Sequence, residues 1–504
     1  MRVFGRSTQN FDLQPLRPLL RPPKARLVFV QVLVFFLLAT AGSTSRVWAQ
    51  IASDLLAPPS TMTFPSLVFH PLKAKRIVRP DGMVLFLLED HELPLIQMQA
   101  IIRTGSYLDP DDKLGLAEMT GAVMRTGGTE KMSGDRIDDE LEFVAASVET
   151  YIGEEAGWAS LSVLKKDLDR GLAIFGDVLM HPVFDSKKVE LRRNQYIEQI
   201  RRRNDQPAPI AQREWKRLVY AGHPFGRIST ARTIRAISRD DLVRFHGRCF
   251  FPGNIILSVS GDFEEADLVN RLNAVFGGWK KGEGTVPLPP PVPLKYSRSL
   301  NLIEKDGPQA VLRMGHLGVA KNDPDWPALD VFDSVLGGNG FSSRLMREVR
   351  SNRGLAYSVA SLVSGGRSRG VILTACQTKS ASCVEALSLM RDILKGFRND
   401  KVSDEELKIA KESIANSFVF RFNSSFRIVS EQANLEYLGL PADWLEFYRE
   451  GVSRVTADDV LRVARKHLQP DQLTIVVVGK HADFDKPLSS LGPVRTLPIE
   501  DFTK

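Results

Sequence analysis

The chain has 504 residues, 43% of them hydrophobic and 25% charged, which excludes a fibrous or disordered protein and suits two domains of about 200 residues each. Its formal charge of +7 invites a nucleic-acid reading, yet residues 1–49 carry seven basic residues (Arg2, Arg6, Arg17, Arg21, Lys24, Arg26 and Arg46) against one acid, Asp12. Removing that excess of six leaves +1, so no nucleic-acid partner is expected.

The same N-terminal stretch reads as an export signal. A basic region up to Arg26 precedes the apolar run "LVFVQVLVFFLLATAG", and Val47 and Ala49 stand at −3 and −1 of a cleavage site after Ala49. The expectation is a periplasmic protein with a signal at 1–49 and an extension over 50–66. The alternative is an uncleaved anchor, the one route to a membrane, since the apolar run is slightly short of a span of about 20 residues and no later stretch can cross. Cys249, Cys376 and Cys383 allow at most one bridge and read as small buried hydrophobes; whether Cys376 and Cys383 pair is open.

A first domain is expected over 67–279. Strand-like runs "MVLFLLE" and "LIQMQAIIR" lead to a helix at "GLAEMTGAVMRTGGT" (Gly115 to Thr129), then to strands "SVETYIG" and "WASLSVL". Helical patterns follow at Leu164 to Met180 and Ser186 to Arg203. The basic run Arg192, Arg193, Arg201, Arg202 and Arg203 reads as a solvated helix face. His181 and His223, each followed by Pro, read as turn residues.

The Pro-rich segment 280–297, "KKGEGTVPLPPPVPLKYS", is a stiff linker. Beyond it a second domain is expected over 298–484, with a tail over 485–504. It opens with strands "LNLIEK" and "AVLRMGHLG". The glycines Gly337 to Gly340 lack the Lys-Ser/Thr of a phosphate loop and read as a flexible turn before a helix. Strands "AYSVASLV" and "GVILTACQ" and helices Ala381 to Phe397 and Asp404 to Phe420 come next. The segment Val455 to Gly479 then repeats Ile237 to Gly261 at an offset of 218, matching Asp240, Asp241, Arg244, Pro252, Val259 and Gly261 with Asp458, Asp459, Arg462, Pro470, Val477 and Gly479. In each copy Ser238 or Thr456 caps a helix, a Pro ends it, and a β-branched strand follows. The fold class is therefore α+β: two homologous domains, each a mostly antiparallel sheet packed with helices, forming a clamshell.

These repeats, with "HPFGR" (His223 to Arg227), "IRAISRDDLVRFH" leading into "PGNIILSVSGDF", and "SSRLMREVRSNRGLAYSV" (Ser342 to Val359), together resemble the insulinase/pitrilysin/mitochondrial processing peptidase family of zinc peptidases. The resemblance spans roughly Val68 to Val478. Active members carry His-x-x-Glu-His on a helix, where two imidazoles bind Zn²⁺ and the Glu activates water; a Glu about 77 residues on completes the site. Here the resemblance places the two His positions at Glu118 and Ala122, the catalytic Glu at Gly121 and the third ligand at Gln199. All four differ, so no catalytic residue and no metal is expected in this domain.

The family's Arg and Tyr, seven residues apart, hold substrate backbone near the scissile carbonyl, and Arg350 and Tyr357 stand at that spacing. The resemblance thus implies a non-catalytic subunit of an exported two-subunit zinc metallopeptidase, inactive alone. Its partner would be a homologous His-x-x-Glu-His chain that supplies the Zn²⁺, and this chain would close the chamber and offer Arg350 and Tyr357 to the peptide substrate. The alternative is an inactive binding or scaffold protein of an envelope complex.

Overall fold

The computed structural model describes residues 72–282 and 284–503; the expected export signal and the extension over 50–66 lie outside the described residues. The first half runs β1 (Lys75–Val78), β2 (Val84–Glu89), β3 (Leu95–Ile102), α1 (Leu116–Val123), α2 (Gly134–Phe143), β4 (Ser147–Ile152), β5 (Gly157–Leu164), α3 (Leu168–Met180), α4 (Ser186–Arg201), α5 (Pro207–Val219), α6 (Ala231–Ala236), α7 (Arg239–Cys249), β6 (Ile255–Gly261) and α8 (Glu265–Phe276). The second half runs β7 (Ser299–Glu304), β8 (Gln309–Leu317), α9 (Trp326–Asp333), β9 (Ala356–Val363), β10 (Val371–Lys379), α10 (Cys383–Asn399), α11 (Asp404–Val419), α12 (Ser425–Leu438), α13 (Trp444–Arg454), α14 (Ala457–His467), β11 (Thr474–Gly479) and β12 (Val494–Leu497).

Each half builds a six-stranded sheet, with orders β1-β2-β6-β3-β5-β4 and β12-β7-β11-β8-β10-β9. The orders superpose strand for strand, and the expected α+β architecture with mostly antiparallel sheets is what forms. The sheets differ at one edge: β1 is antiparallel to β2, whereas β12, drawn from the C-terminal tail, is parallel to β7. Central strands β2 and β6 are covered on both faces; β2 reads as a continuous apolar run, β6 buries Ser258 and Ser260 among its apolar residues, and β5 alternates between buried and half-buried positions.

The internal repeat is visible at the level of caps. Ser238 Oγ accepts from Asp241 N at 3.2 Å while Ser238 N donates to Asp241 Oδ2 at 2.8 Å. Thr456 and Asp459 repeat the exchange at 3.1 Å in both directions. Each reciprocal cap satisfies two orphan amides and stabilises its helix by about 1 kcal/mol.

The halves exchange helices. α5, from the first half, packs on β8 and β11 of the second sheet; its Ile210, Ala211 and Trp215 join Val311, Leu317, Val371, Leu373, Val476 and Val478 in one buried cluster. The Trp215 indole N–H donates to Thr474 O at 2.9 Å. In return α12 packs on β2, β3 and β6 of the first sheet, where Arg76 holds Glu436 through two bonds of 2.8 and 2.9 Å and the Tyr437 hydroxyl donates to Glu155 O at 2.6 Å. The Pro-rich segment is docked along this seam: Tyr107 Oη donates to Pro287 O at 2.7 Å, and Val292 is buried in the second-half cluster. Phe502, from the C-terminal tail, is buried in the first-half core.

Candidate functional site

α1 is built as a helix held from below. Gly115 opens it at φ +104°, a left-handed conformation that glycine tolerates, and a Cβ there would meet Ile234 Cδ1 at 2.4 Å. The buried Asp109 carboxylate receives Gly115 N at 2.8 Å and Ala117 N at 2.9 Å, standing in for the missing side-chain cap. Burial pushes the Asp109 carboxyl up to about 7, against the pull of those two amides.

Gly121 decides what the helix can do. A Cβ at this position would lie 2.5 Å from Ile152 N and 2.9 Å from Tyr151 C, both backbone atoms of edge strand β4. Thr150 Oγ1 closes the contact by donating to Gly121 O at 2.7 Å. The helix therefore rests directly on the strand, leaving no room for a carboxylate at 121. Ala122 adds only a methyl group. Glu118 is exposed and acts on Tyr196 of α4, whose phenol is raised by burial and by that carboxylate. Gln199, one turn further along α4, is exposed. The four positions lie on two packed helices, with Glu118 as the one anionic donor. A Zn²⁺ ion with three protein ligands does not fit this donor set.

Elsewhere, Asp323, Asp325 and His467 bring potential ligand atoms within 4.8 Å. Asp325 is already committed: Arg462 reaches it at 2.6 Å and Lys466 and His467 at 2.7 Å. Hydrogen bonds from Lys466, His467 and Arg462 hold its carboxyl well below the usual range despite burial, so its oxygens are already taken.

The second site lies where the chain enters β9. A wide helical turn over Met346–Asn352 ends at Gly354, φ +62°, whose N–H bonds Arg350 O at 3.0 Å. That left-handed step turns the chain back, so Tyr357 on β9 returns to Arg350. The Arg350 Cζ stands 5.7 Å from the Tyr357 ring centroid and 4.9 Å from that of Phe341. Phe341 and Tyr357 are 67% and 76% exposed, which for aromatic rings flanking a cation marks a surface built for contact.

Phe341 was not singled out by the sequence. It follows Gly337 to Gly340, of which the first two glycines are packed: a Cβ on Gly337 would meet Ser361 N of β9 at 2.4 Å, and one on Gly338 would meet Asp333 Oδ2 at 2.8 Å, whereas one on Gly340 would meet open space. Asn339 is tied to Ser413 at 2.7 Å. The expected turn is close-packed at Gly337 and Gly338 and open at Gly340, and an apolar residue after a glycine run was the available signal.

The remaining candidates have structural occupations. Among the α4 basic residues, Arg193 pairs with Glu190, Arg201 and Arg202 pair with Glu198, Arg203 donates to Ser229 O at 2.6 Å, and Arg192 lies over the Tyr196 ring at 4.4 Å. His223 caps the next turn, accepting from Phe225 N at 3.2 Å while Nε2 bonds Pro290 O at 3.0 Å. His181 is the residue after α3. Cys249, Cys376 and Cys383 are buried free thiols, and burial pushes Cys376 up to about 12.

Comparison with known proteins adds two adjoining matches. Residues 87–231 match the profile described as insulinase (peptidase family M16), and 236–414 that of the peptidase M16 inactive domain. A Streptomyces coelicolor protein called an uncharacterized zinc protease is 26% identical over 345 residues, 67% of this chain and 75% of that protein. The Helicobacter pylori non-peptidase homolog YmxG is 24% identical over 394 residues, 78% and 90% of the two chains. The crystal structure of a peptidase M16 inactive domain from Pseudomonas fluorescens superposes with a TM-score of 0.74 at 26% identity, covering 81% of this chain and 98% of that one.

Proposed function

The chain belongs to the insulinase (peptidase M16) family, and from that premise we propose that it is a non-catalytic member that binds peptide through Arg350 and Tyr357. In this reading it is exported, works beside a homologous chain bearing His-x-x-Glu-His, and closes the chamber in which that partner's Zn²⁺ cleaves the peptide. It supplies no metal, no general base and no nucleophile.

The observation that carries the reading is the seat of Gly121 on β4. A helix that lies against backbone at that point has given the catalytic carboxylate's volume to packing, while the opposite half keeps an exposed Arg and Tyr in mutual contact. Relatives described as an inactive domain and a non-peptidase homolog support the same division.

The test is affinity purification of the tagged chain from its native envelope fraction, followed by a peptidase assay. The expected result is an equimolar companion of similar size with His-x-x-Glu-His. The pair should cleave unstructured peptides, each chain alone should not, and Arg350→Ala should lower kcat/KM of the pair by about 100-fold. A chain recovered alone, or within a large non-proteolytic complex, overturns this in favour of a binding or scaffold protein.

A further inference from the structure

We propose that Phe341, Arg350 and Tyr357 form a carboxylate clamp, so that the peptides this chain holds are those presenting an acidic group, from an Asp or Glu side chain or from a free C-terminus. The inference rests on the peptide-binding reading above and specifies its ligand.

Four arginines recur at three-residue intervals here: Arg344, Arg347, Arg350 and Arg353. Arg344 grips Glu406 with two bonds of 2.6 and 2.8 Å. Arg347 reaches Glu348 at 3.0 Å and Glu406 at 3.1 Å, and Arg353 lies 3.9 Å from Glu385. Glu348 also receives Asn352, and Glu406 the Ser403 amide. Among the described residues no carboxylate pairs with Arg350.

Its partners are ring faces instead. A cation over an aromatic face is held by the ring's quadrupole without its charge being neutralised. The in-plane N–H groups of the guanidinium take no part in that contact. What remains is a restrained, charged fork with its donors unspent and a phenol donor 5.7 Å away, centroid to Cζ. A peptide carbonyl fills part of this set, whereas a carboxylate accepts two parallel N–H bonds and offsets the charge. Phe341 donates nothing itself; it is a positioning residue that keeps the fork presented.

Three N-acetylated nonapeptide mixtures, randomised over uncharged residues except at the centre, test the clamp by fluorescence-detected binding in low salt. The first has a central Glu and an amidated end, the second a central Gln and an amidated end, and the third a central Gln and a free C-terminal carboxylate. One or both acidic mixtures are expected to bind about tenfold tighter than the neutral one, and the preferred mixture identifies the carboxylate's source. Arg350→Gln should abolish the preference, and Phe341→Ala, an exposed position whose loss leaves folding intact, should reduce it to about threefold. Salt at 0.5 M should narrow it. Equal binding of all three mixtures by the native chain overturns the clamp while leaving peptide binding in place, as does a preference that survives Arg350→Gln. If no mixture binds, the peptide-binding reading itself fails and the clamp with it.

Discussion

Gly121 of α1 and Ile152 of β4 approach so closely that a single added carbon on the glycine would lie 2.5 Å from the isoleucine amide nitrogen. Loss of a metal motif by substitution is in principle reversible; a helix settled onto its neighbouring strand is a different kind of loss. Replacing Glu118, Gly121, Ala122 and Gln199 together by His, Glu, His and Glu should therefore not create a stoichiometric zinc site. Calorimetry with Zn²⁺ should show no tight binding. Gly121→Ala alone should destabilise the protein by about 1–3 kcal/mol through overpacking against backbone, read as a lower denaturant midpoint.

Arg344, just before the wide helical turn, and Arg350, on it, should respond differently to truncation. Arg344 and Glu406 are largely shielded, with side chains 17% and 12% exposed, so Arg344→Ala leaves a partly buried carboxylate unpaired and should cost about 1–3 kcal/mol. Arg350→Ala removes no ion pair and should change stability by less than about 0.5 kcal/mol while weakening peptide binding. Melting curves of the two variants, beside a binding assay, separate these effects. A large stability loss on Arg350→Ala would make it a structural residue.

Stability should also carry a pH signature from beneath α1. Asp109 has its folded pKa raised from 3.8 to about 7, so its contribution is fully present below pH 4 and is lost as pH rises through 7. Asp333 acts in the same direction, raised by burial to about 6. His246 opposes them: burial lowers it from 6.5 to about 4, so its contribution is present above pH 6.5 and lost as pH falls through 4. Between pH 6.5 and 8 the Asp109 effect should dominate. Asp109→Asn should flatten the fall in unfolding free energy across that window, measured by denaturant titration at fixed ionic strength, while costing about 1 kcal/mol at pH 5 for the weakened cap.

Trp215 belongs to the first half of the chain and to the core of the second. Trp215→Ala should cost about 3–5 kcal/mol and should lower the unfolding of both halves together, since the helix it anchors spans them. Two separated transitions in calorimetry, only one of them shifted, would contradict this.

Much of the architecture was legible in the sequence. The β-branched runs became β2, β3, β6 and β9 nearly at their expected bounds, because alternating or continuous apolar patterns report burial directly. The capped repeat at Ser238 and Thr456 appeared intact, because a capping box is a local chemical signature. The exchange of α5 and α12 was not legible: an amphipathic pattern states that a face is buried, never against which sheet. The same limit hid Phe341, whose meaning comes from a neighbour nine residues on, and the tightness of Gly121, which depends on a strand some thirty residues away. Arg350 and Tyr357 were singled out only through the family resemblance; that they touch depends on the left-handed Gly354 between them.

The exchanged helices obey the internal repeat. Pro207 opens α5 and Ser425 opens α12, 218 positions later, the same interval that separates α7 from α14. Corresponding segments therefore cross in opposite directions, each covering the other copy's sheet. A single repeat cut out on its own would leave one face of its sheet bare, and two such pieces would cover one another by swapping an identical helix.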